Sequence, residues 1–458
     1  MDLLKKIKVE LWVFFLVGII SFIGLMGFGA LVVHKVLAPS NKFPVMSGIA
    51  YFIAEIPTNL RDIIQGKGGS KELKVKDRFP ELSGFHGEPI EEEVYLLLSK
   101  YNGDSERSTV ELIDLRSFEV KKTWLPEIDE INKLVDISDP QFVFTMRDKY
   151  ERRYSVRHPF LTEDGGLIFQ DDSPLVKIDK NSQLVWQNQE DLFHHSAEQD
   201  YEGSLWVPSH VYPYIVDKKY FGLDHEWALH YKDDAITKVS LDGEILFQKS
   251  ITQLFIENNL HYMLFPVKDV ISRDHLHIND IQPVLTDGPH WKRGDVFISL
   301  RGLSMIMLYR PSTNKIIWKM SGLTSAQHDV DILDDHRISI FNNNAYRAYR
   351  GSKVDGNNQI VIYDFNTKSS SKYFEESLIK YDVRTINQGL HEILNGGDLI
   401  IEEQNYGRLL YFNKDSSLQW QYVNRAYNGN IYTLNWSRIL HKLEDIQKVR
   451  KIIKMGAQ

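Results

Sequence analysis

The sequence predicts an all-β fold: a six-bladed β-propeller with an N-terminal single transmembrane helix. Three observations predict it. One pattern of short strands recurs six times between Glu93 and Val423. Each copy closes on an aromatic residue, and turn signals fall between its strands. Near the N-terminus, residues 11–33 run for 23 positions without a charge. Self-similarity at a period of roughly 50 residues, with three or four strands per unit, is the mark of a propeller.

The apolar run LWVFFLVGIISFIGLMGFGALVV exceeds the roughly 20 residues that a helix needs to span a bilayer. Lys5, Lys6 and Lys8 precede it, so the positive-inside rule keeps the N-terminus cytoplasmic and puts everything after His34 outside. A cleaved signal peptide is the alternative. Its apolar stretch usually covers about 7–15 residues and precedes a small-residue cleavage site, which HKVLAPS matches poorly. Residues 1–35 therefore read as a cytoplasmic stub and anchor in the inner membrane, with the bilayer as partner through 11–33.

Residues 36–90 read as a neck. Ile49, Phe52, Ile53, Ile56, Leu60 and Ile63 suit an amphipathic helix that Pro57 would break or kink. It lies either in the membrane interface or on the outer face of the propeller. GKGGSK (66–71) is a break.

The propeller is expected over 91–436. Its clearest copies are 166–187, 295–319 and 398–421; weaker ones are 94–124, 204–248 and 337–374. Val, Ile, Tyr, Phe and Trp alternate with polar residues, and Asp242-Gly243, Thr313-Asn314 and Asn395-Gly396-Gly397 mark turns. Trp124, Trp186, Phe247, Trp318, Phe374 and Trp420 end the units and are expected to pack between blades. Residues 437–458 read as a helical tail, solvated or touching the membrane surface.

Bulk numbers exclude several classes. The 458 residues carry a net charge of −8, without the basic face that nucleic-acid binding needs. There is no cysteine, which removes disulfides, thiolate metal sites and cysteine nucleophiles. No cofactor motif is present, and oligomeric state carries no signal.

The chemistry is expected where the chain enters each unit's innermost strand, which lines the channel and is read as 204–207, 296–300 and 338–341 in three of the units. His194-His195 precedes 204–207, His277 and Asn279 precede 296–300, and His328 precedes 338–341. His195 and His328 each lie ten residues before Leu205 and Ile338, a register that falls on Gly389 in the last unit and leaves space there. Arg301 follows the strand 296–300. Three imidazoles, an amide and a guanidinium suit a tetrahedral oxyanion, sulfate or phosphate. Histidine adds proton transfer and nucleophilic attack. A zinc site on His195, His277 and His328 is the alternative, disfavoured by the nearby guanidinium of Arg301. The other histidines, among them His158, His210, His225, His391 and His441, share no register and read as surface or turn residues. His194 is expected to face away from the channel.

With these motifs in this order, the chain resembles the arylsulfotransferase family, the kind that needs no nucleotide sulfate donor. The resemblance covers roughly residues 80–435. It rests on His194-His195, on His277-x-Asn279, on the S-L-R ending at Arg301, on Gln327-His328-Asp329 and on Gly407-Arg408-Leu409-Leu410. It implies a six-bladed propeller exported beyond the inner membrane. It also implies ping-pong transfer of a sulfuryl group from an aryl sulfate to a hydroxyl acceptor, carried on a histidine. His328 would be that histidine. His277, Asn279 and Arg301 would hold the sulfuryl oxygens, and His195 would orient the group or shuttle the phenol's proton. The long segment 280–296 would close over the rim. Two competing readings are a non-catalytic, membrane-tethered propeller gripping an anionic ligand and a quinone-cofactor dehydrogenase. The second would show more blades and carboxylates for calcium.

Overall fold

Short apolar runs bounded by Gly, Asn and Asp bury one face by pairing as antiparallel ladders, and this pairing makes up most of the molecule. The computed structural model describes residues 10–37, 43–64, 73–143, 145–213, 231–264, 274–348 and 351–456. The chain divides into two compact units, one holding the two N-terminal helices and one beginning at Leu73 and holding the sheets.

In the first unit, the helix Leu11–Leu37 contains the one stretch among the described residues, Leu11–His34, that is long and apolar enough to cross a membrane. At 1.5 Å per residue it extends about 36 Å. The helix Pro44–Ile64 runs through Pro57 without a break, so of the two effects expected of that proline the break is not seen. A proline removes one backbone donor, and the turns on either side continue past it. Ile49, Phe52, Ile53 and Ile56 are exposed. GKGGSK and His225 lie outside the described residues.

The second unit is a propeller-like array of antiparallel sheets. Four sheets stand apart. In strand order, the first is Arg438–Leu440, Tyr95–Asn102, Arg107–Asp114 and Glu119–Trp124. The second is Ile278–Pro283, Val296–Leu300, Met305–Arg310 and Lys315–Ser321. The third is His328–Ile332, Arg337–Asn342, Gln359–Asp364 and Ser369–Tyr373. The fourth is Leu390–Ile393, Leu399–Glu403, Arg408–Phe412 and Leu418–Val423, edged by Gly84–Gly87. The segments expected to form the second and third repeats share one eight-stranded sheet, because Leu192 and Phe193 pair with His210 and Ser209. Six discrete sheets are therefore not what is observed.

Each sequence repeat supplies the three outer strands of its group. The strand next inward comes from the segment before the repeat, as in Ile278–Pro283 and His328–Ile332. This corrects the assignment of 204–207, 296–300 and 338–341 as innermost. The inner strands are short and polar, and their ladders shift register at Asn279 and Asp329, which hides the period-2 signal. The segment 280–296 likewise forms part of an inner strand and a tight return, with Val284 N–H on the Asp295 carbonyl, rather than a flap over the rim.

The expected helical tail also needs correction. Arg438–Leu440 is a strand that pairs with Tyr95–Leu97 and so joins the two ends of the array. Only Leu443–Gly456 is helical, and its Val449 and Ile452 are buried in the core with Tyr95, Trp124 and Leu167. Three residues of strand are too few to outweigh the helical periodicity that follows them. The unit-ending aromatics do link neighbouring groups: Trp124 Nε1–H donates to the Gly165 carbonyl at 3.0 Å and Trp186 Nε1–H to that of Leu241 at 3.1 Å. Phe374 lies just past its strand with φ +52°.

Candidate active site

A left-handed residue recurs where the inner strands begin: His158 (φ +39°), His195 (+62°), His277 (+51°), Asp329 (+49°), Gly389 (+113°) and Trp436 (+61°). Side-chain-bearing residues adopt this conformation at a cost and persist in it where the surroundings over-determine it. Here backbone anchors supply the constraint. The His277 N–H donates to Asp234 Oδ2 (2.8 Å), and the His195 carbonyl accepts from Gln170 Nε2 (2.6 Å). Trp436 and Ser437 N–H both donate to the buried Glu402 carboxyl at 2.8 Å. Gly389 leaves no space, contrary to expectation. A Cβ there would sit 2.5 Å from the Phe341 ring, so glycine fits for its φ and for the close approach.

These turns bring His195, His277 and His328 together from separate strand groups. Ring centroids of His195 lie 5.2 Å from His277 and 6.3 Å from His328, and Trp436 stands edge-on to His195 and His328 at 6.0 and 6.2 Å. With Arg301 the three histidines line a cavity of about 190 Å³, to which Arg157, Asp172, His194, His210, Lys232, Asn387 and Gln388 also contribute. Asn279 is not part of that lining. Its Nδ2 is spent on the Gln327 carbonyl at 2.7 Å, so it braces the residue before His328, and its buried Oδ1 has no hydrogen-bond partner among the described residues.

A family model for arylsulfotransferases (ASST) matches residues 158–425, more than half of the chain and all four predicted cavity residues. The chain belongs to the arylsulfotransferase family. No curated protein matches it. Solved structures that the chain matches include a protein of unknown function from Bacteroides caccae, at 11% identity and a TM-score of 0.45, over 77% of this chain and all of that one. A streptogramin B lyase follows at 12% identity and 0.37, over 80% and 96%, and the Dos1 propeller at 11% and 0.36, over 74% of each.

Within this arylsulfotransferase-family cavity, hydrogen bonds define the state of His328. Asn343 spends its Nδ2 on the carbonyls of Thr385 (3.2 Å) and Gln388 (2.6 Å), so its Oδ1 faces His328 Nδ1 at 2.7 Å as an acceptor. The imidazole proton therefore sits on Nδ1, and Nε2 keeps its lone pair, which accepts the Gln388 N–H at 3.0 Å. Burial, then the charge of Arg301, holds His328 well below the usual histidine range. Burial and neighbouring His194 do the same for His195. His195 and His328 are thus neutral near pH 7, and the cavity's positive charge comes from Arg301, Arg157 and Lys232.

Arg301 is pinned by its own backbone. Its N–H donates to the His277 carbonyl (3.0 Å) and the next N–H, of Gly302, to that of Leu276 (2.9 Å). A Cβ at Gly302 would lie 2.0 Å from the His275 carbonyl oxygen, so only glycine permits this approach. The Arg301 Nε is buried without a hydrogen-bond partner among the described residues. His277 Nδ1 contacts Asp274 Oδ2 at 2.9 Å, which orients its ring.

Sequence reasoning missed several lining residues. His194 and His210 are buried, not turned away, and their rings stack at 4.2 Å. His194 Nδ1 meets His195 Nδ1 at 2.8 Å. Burial and Lys232 push His210 down to about 3. His158 and His391 are also buried, and with His441 they line a second cavity of about 450 Å³ beside Glu198, Asp331 and Lys442. The doubled histidine was the one signal pointing to His194. His210 sits in an ordinary outer-strand pattern that offers none.

Among the described residues, three groups could hold a metal ion: His194 with His210 and Asp234, Asp329 with Asp331 and His391, and Asp334 with Asp335 and His336. The trio weighed from sequence, His195, His277 and His328, is not one of them. Both ring nitrogens of His328 already have partners.

Proposed function

We propose that this chain moves a sulfuryl group from an aryl sulfate to a phenolic or other hydroxyl acceptor, by a ping-pong mechanism through a sulfohistidine at His328. The observation that carries the reading is the convergence of the neutral imidazoles of His328 and His195 with His277 and the unpartnered donor of Arg301 around one small cavity. In the first half-reaction the Nε2 lone pair of His328 attacks sulfur. The S–O bond to the aryl group breaks and the electron pair leaves on the phenolate oxygen. In the second, an acceptor oxygen attacks the same sulfur, the N–S bond breaks, and the pair returns to Nε2.

Each neighbour has a part. Arg301, with the second nitrogen of His277, would hold the sulfuryl oxygens as charge spreads in the transition state. Asn343 keeps the Nδ1 proton in place and disperses the positive charge that forms on the ring. His195 would donate an Nε2–H hydrogen bond to the leaving phenolate, which departs as the anion, and the acceptor hydroxyl would give up its proton to water as it attacks. Asn279 acts as a positioning residue through Gln327. Gln388 N–H must leave Nε2 before attack, so substrate entry is coupled to a shift of the segment 386–388.

The same reading takes the strand groups as six blades. The pairing of Leu192 and Phe193 with Ser209 and His210 would be a two-residue seam between the second and third of them. It takes Leu11–His34 as an inner-membrane anchor with the propeller on the periplasmic side. Residues 36–90 would be the neck, and Arg438–Leu440 with the helix after it would complete the catalytic domain. The test is turnover by the full chain in detergent. It should release p-nitrophenolate from p-nitrophenyl sulfate when a phenol is added and no nucleotide is present, and His328→Ala should abolish release while remaining folded. A folded wild-type protein that turns over no aryl sulfate would favour a channel that only grips an anion.

A further inference from the structure

Beside the cavity, three donor atoms, from His194, His210 and Asp234, lie within 4.8 Å of one another. Asp234 lies on the strand Asp233–Val239, directly opposite His210 of Leu205–Val211 in the ladder, and His194 follows the strand Leu184–Phe193 with its N–H on the Pro208 carbonyl. The ladder fixes all three backbones. Asp234 Oδ1 is 3.2 Å from His210 Nε2 and 3.6 Å from His194 Nε2. The residues are 1%, 8% and 2% exposed.

Two neighbouring polar atoms are already used. Asp234 Oδ2 accepts the His277 N–H, and His194 Nδ1 meets His195 Nδ1. Asp234 Oδ1 and His194 Nε2 are buried with no hydrogen-bond partner among the described residues. Two imidazole nitrogens and a carboxylate oxygen lie within 4.8 Å of one another, and leaving such buried atoms without a ligand is costly.

We propose that His194 Nε2, His210 Nε2 and Asp234 Oδ1 bind a divalent transition-metal ion, zinc by preference. Bonds of about 2.0–2.1 Å in tetrahedral array set donor atoms about 3.3 Å apart, which matches the observed 3.2 and 3.6 Å. Two imidazoles and one carboxylate leave a fourth position, which opens to the cavity that His194 and His210 line. The nearest cations are engaged elsewhere: Lys232 with Asp274 at 3.8 Å and Arg157 with Asp171 at 2.9 Å. A bound ion would hold the His194 proton on Nδ1, where it donates to His195 Nδ1, and so leave the His195 proton on Nε2. The site stands whether or not the cavity transfers sulfuryl groups.

The experiment is metal retention by the full chain in detergent. The protein is stripped with a chelator, incubated with Zn2+, desalted and assayed by elemental analysis. Wild type should keep one equivalent, His210→Ala should bind Zn2+ at least about 100-fold more weakly, and Asp331→Asn, in one of the two other groups, should match wild type. Should His210→Ala fail to fold, Co2+ substitution of wild type decides: intense visible d–d bands that Zn2+ abolishes support the site, and their absence overturns it. No retention by folded wild type, retention unchanged in His210→Ala, or loss in Asp331→Asn alone would equally overturn it.

Discussion

The backbone N–H of Gln388 reaches Nε2 of His328 across 3.0 Å, and the Gln388 carbonyl is held by the same Asn343 that binds His328 Nδ1. Both ring nitrogens are thus governed by one short segment. It sets the tautomer and covers the lone pair until something displaces it.

Replacing Asn343 with aspartate tests this arrangement. In wild type, burial keeps His328 neutral below its ordinary pKa of 6.5, so activity should show no acid limb from this group near pH 6.5. A carboxylate 2.7 Å away would favour the imidazolium and raise the pKa. Asn343→Asp should therefore lose activity at pH 6–7 and regain it as pH rises. The pH profile of kcat/KM for an aryl sulfate reads this directly, and an unshifted profile counts against the assigned tautomer.

Arg301 is expected to act in the transition state. Removing one such donor costs about 10²–10³ in kcat. Arg301→Ala should fall in that range in steady-state release of p-nitrophenolate, and Arg301→Lys should recover only part, because the ammonium lacks the guanidinium fork. A change confined to KM would assign Arg301 to ground-state binding.

Glu402 predicts a pH-dependent stability. Burial pushes its carboxyl up to about 7 despite hydrogen bonds from Ser437 and Trp436. The folded chain then holds a proton that the unfolded chain releases near its ordinary 4.5. Stability from this group is full below that value and declines as pH rises toward 7. Thermal midpoints should fall across this window in wild type and less so in Glu402→Gln, and parallel curves for the two proteins would contradict the assignment.

The C-terminal helix is part of the core rather than an appendage. Ile452→Ala should destabilise the sheet unit by about 2 kcal/mol or more, seen as a lower denaturation midpoint in urea. A neutral result would return the helix to the solvated tail that its charge pattern suggests.

What could be read from sequence follows from period and spacing. The outer strands were legible because Val, Ile and aromatic residues alternate over five or more positions, and the convergence of His195 and His328 followed from their shared register, with His277 before and Arg301 after the strand 296–300. The inner strands were not legible. Glu198–Gln199 is two residues long, Arg438–Leu440 three, and bulges at Asn279 and Asp329 break the alternation. Asn279 looked like a ligand-holding amide by spacing alone, while its burial and its bond to Gln327 depend on a neighbouring strand that no local pattern reveals. His210 and Asp234 become partners only through the ladder that joins their strands.

The most direct measurement is intact-mass analysis of the full chain after brief exposure to an aryl sulfate without acceptor, followed by peptide mapping. The account predicts a gain of one SO3, located on His328 and discharged when a phenol is added. An unmodified protein that still turns over, or a sulfuryl group mapped to another residue, would contradict it.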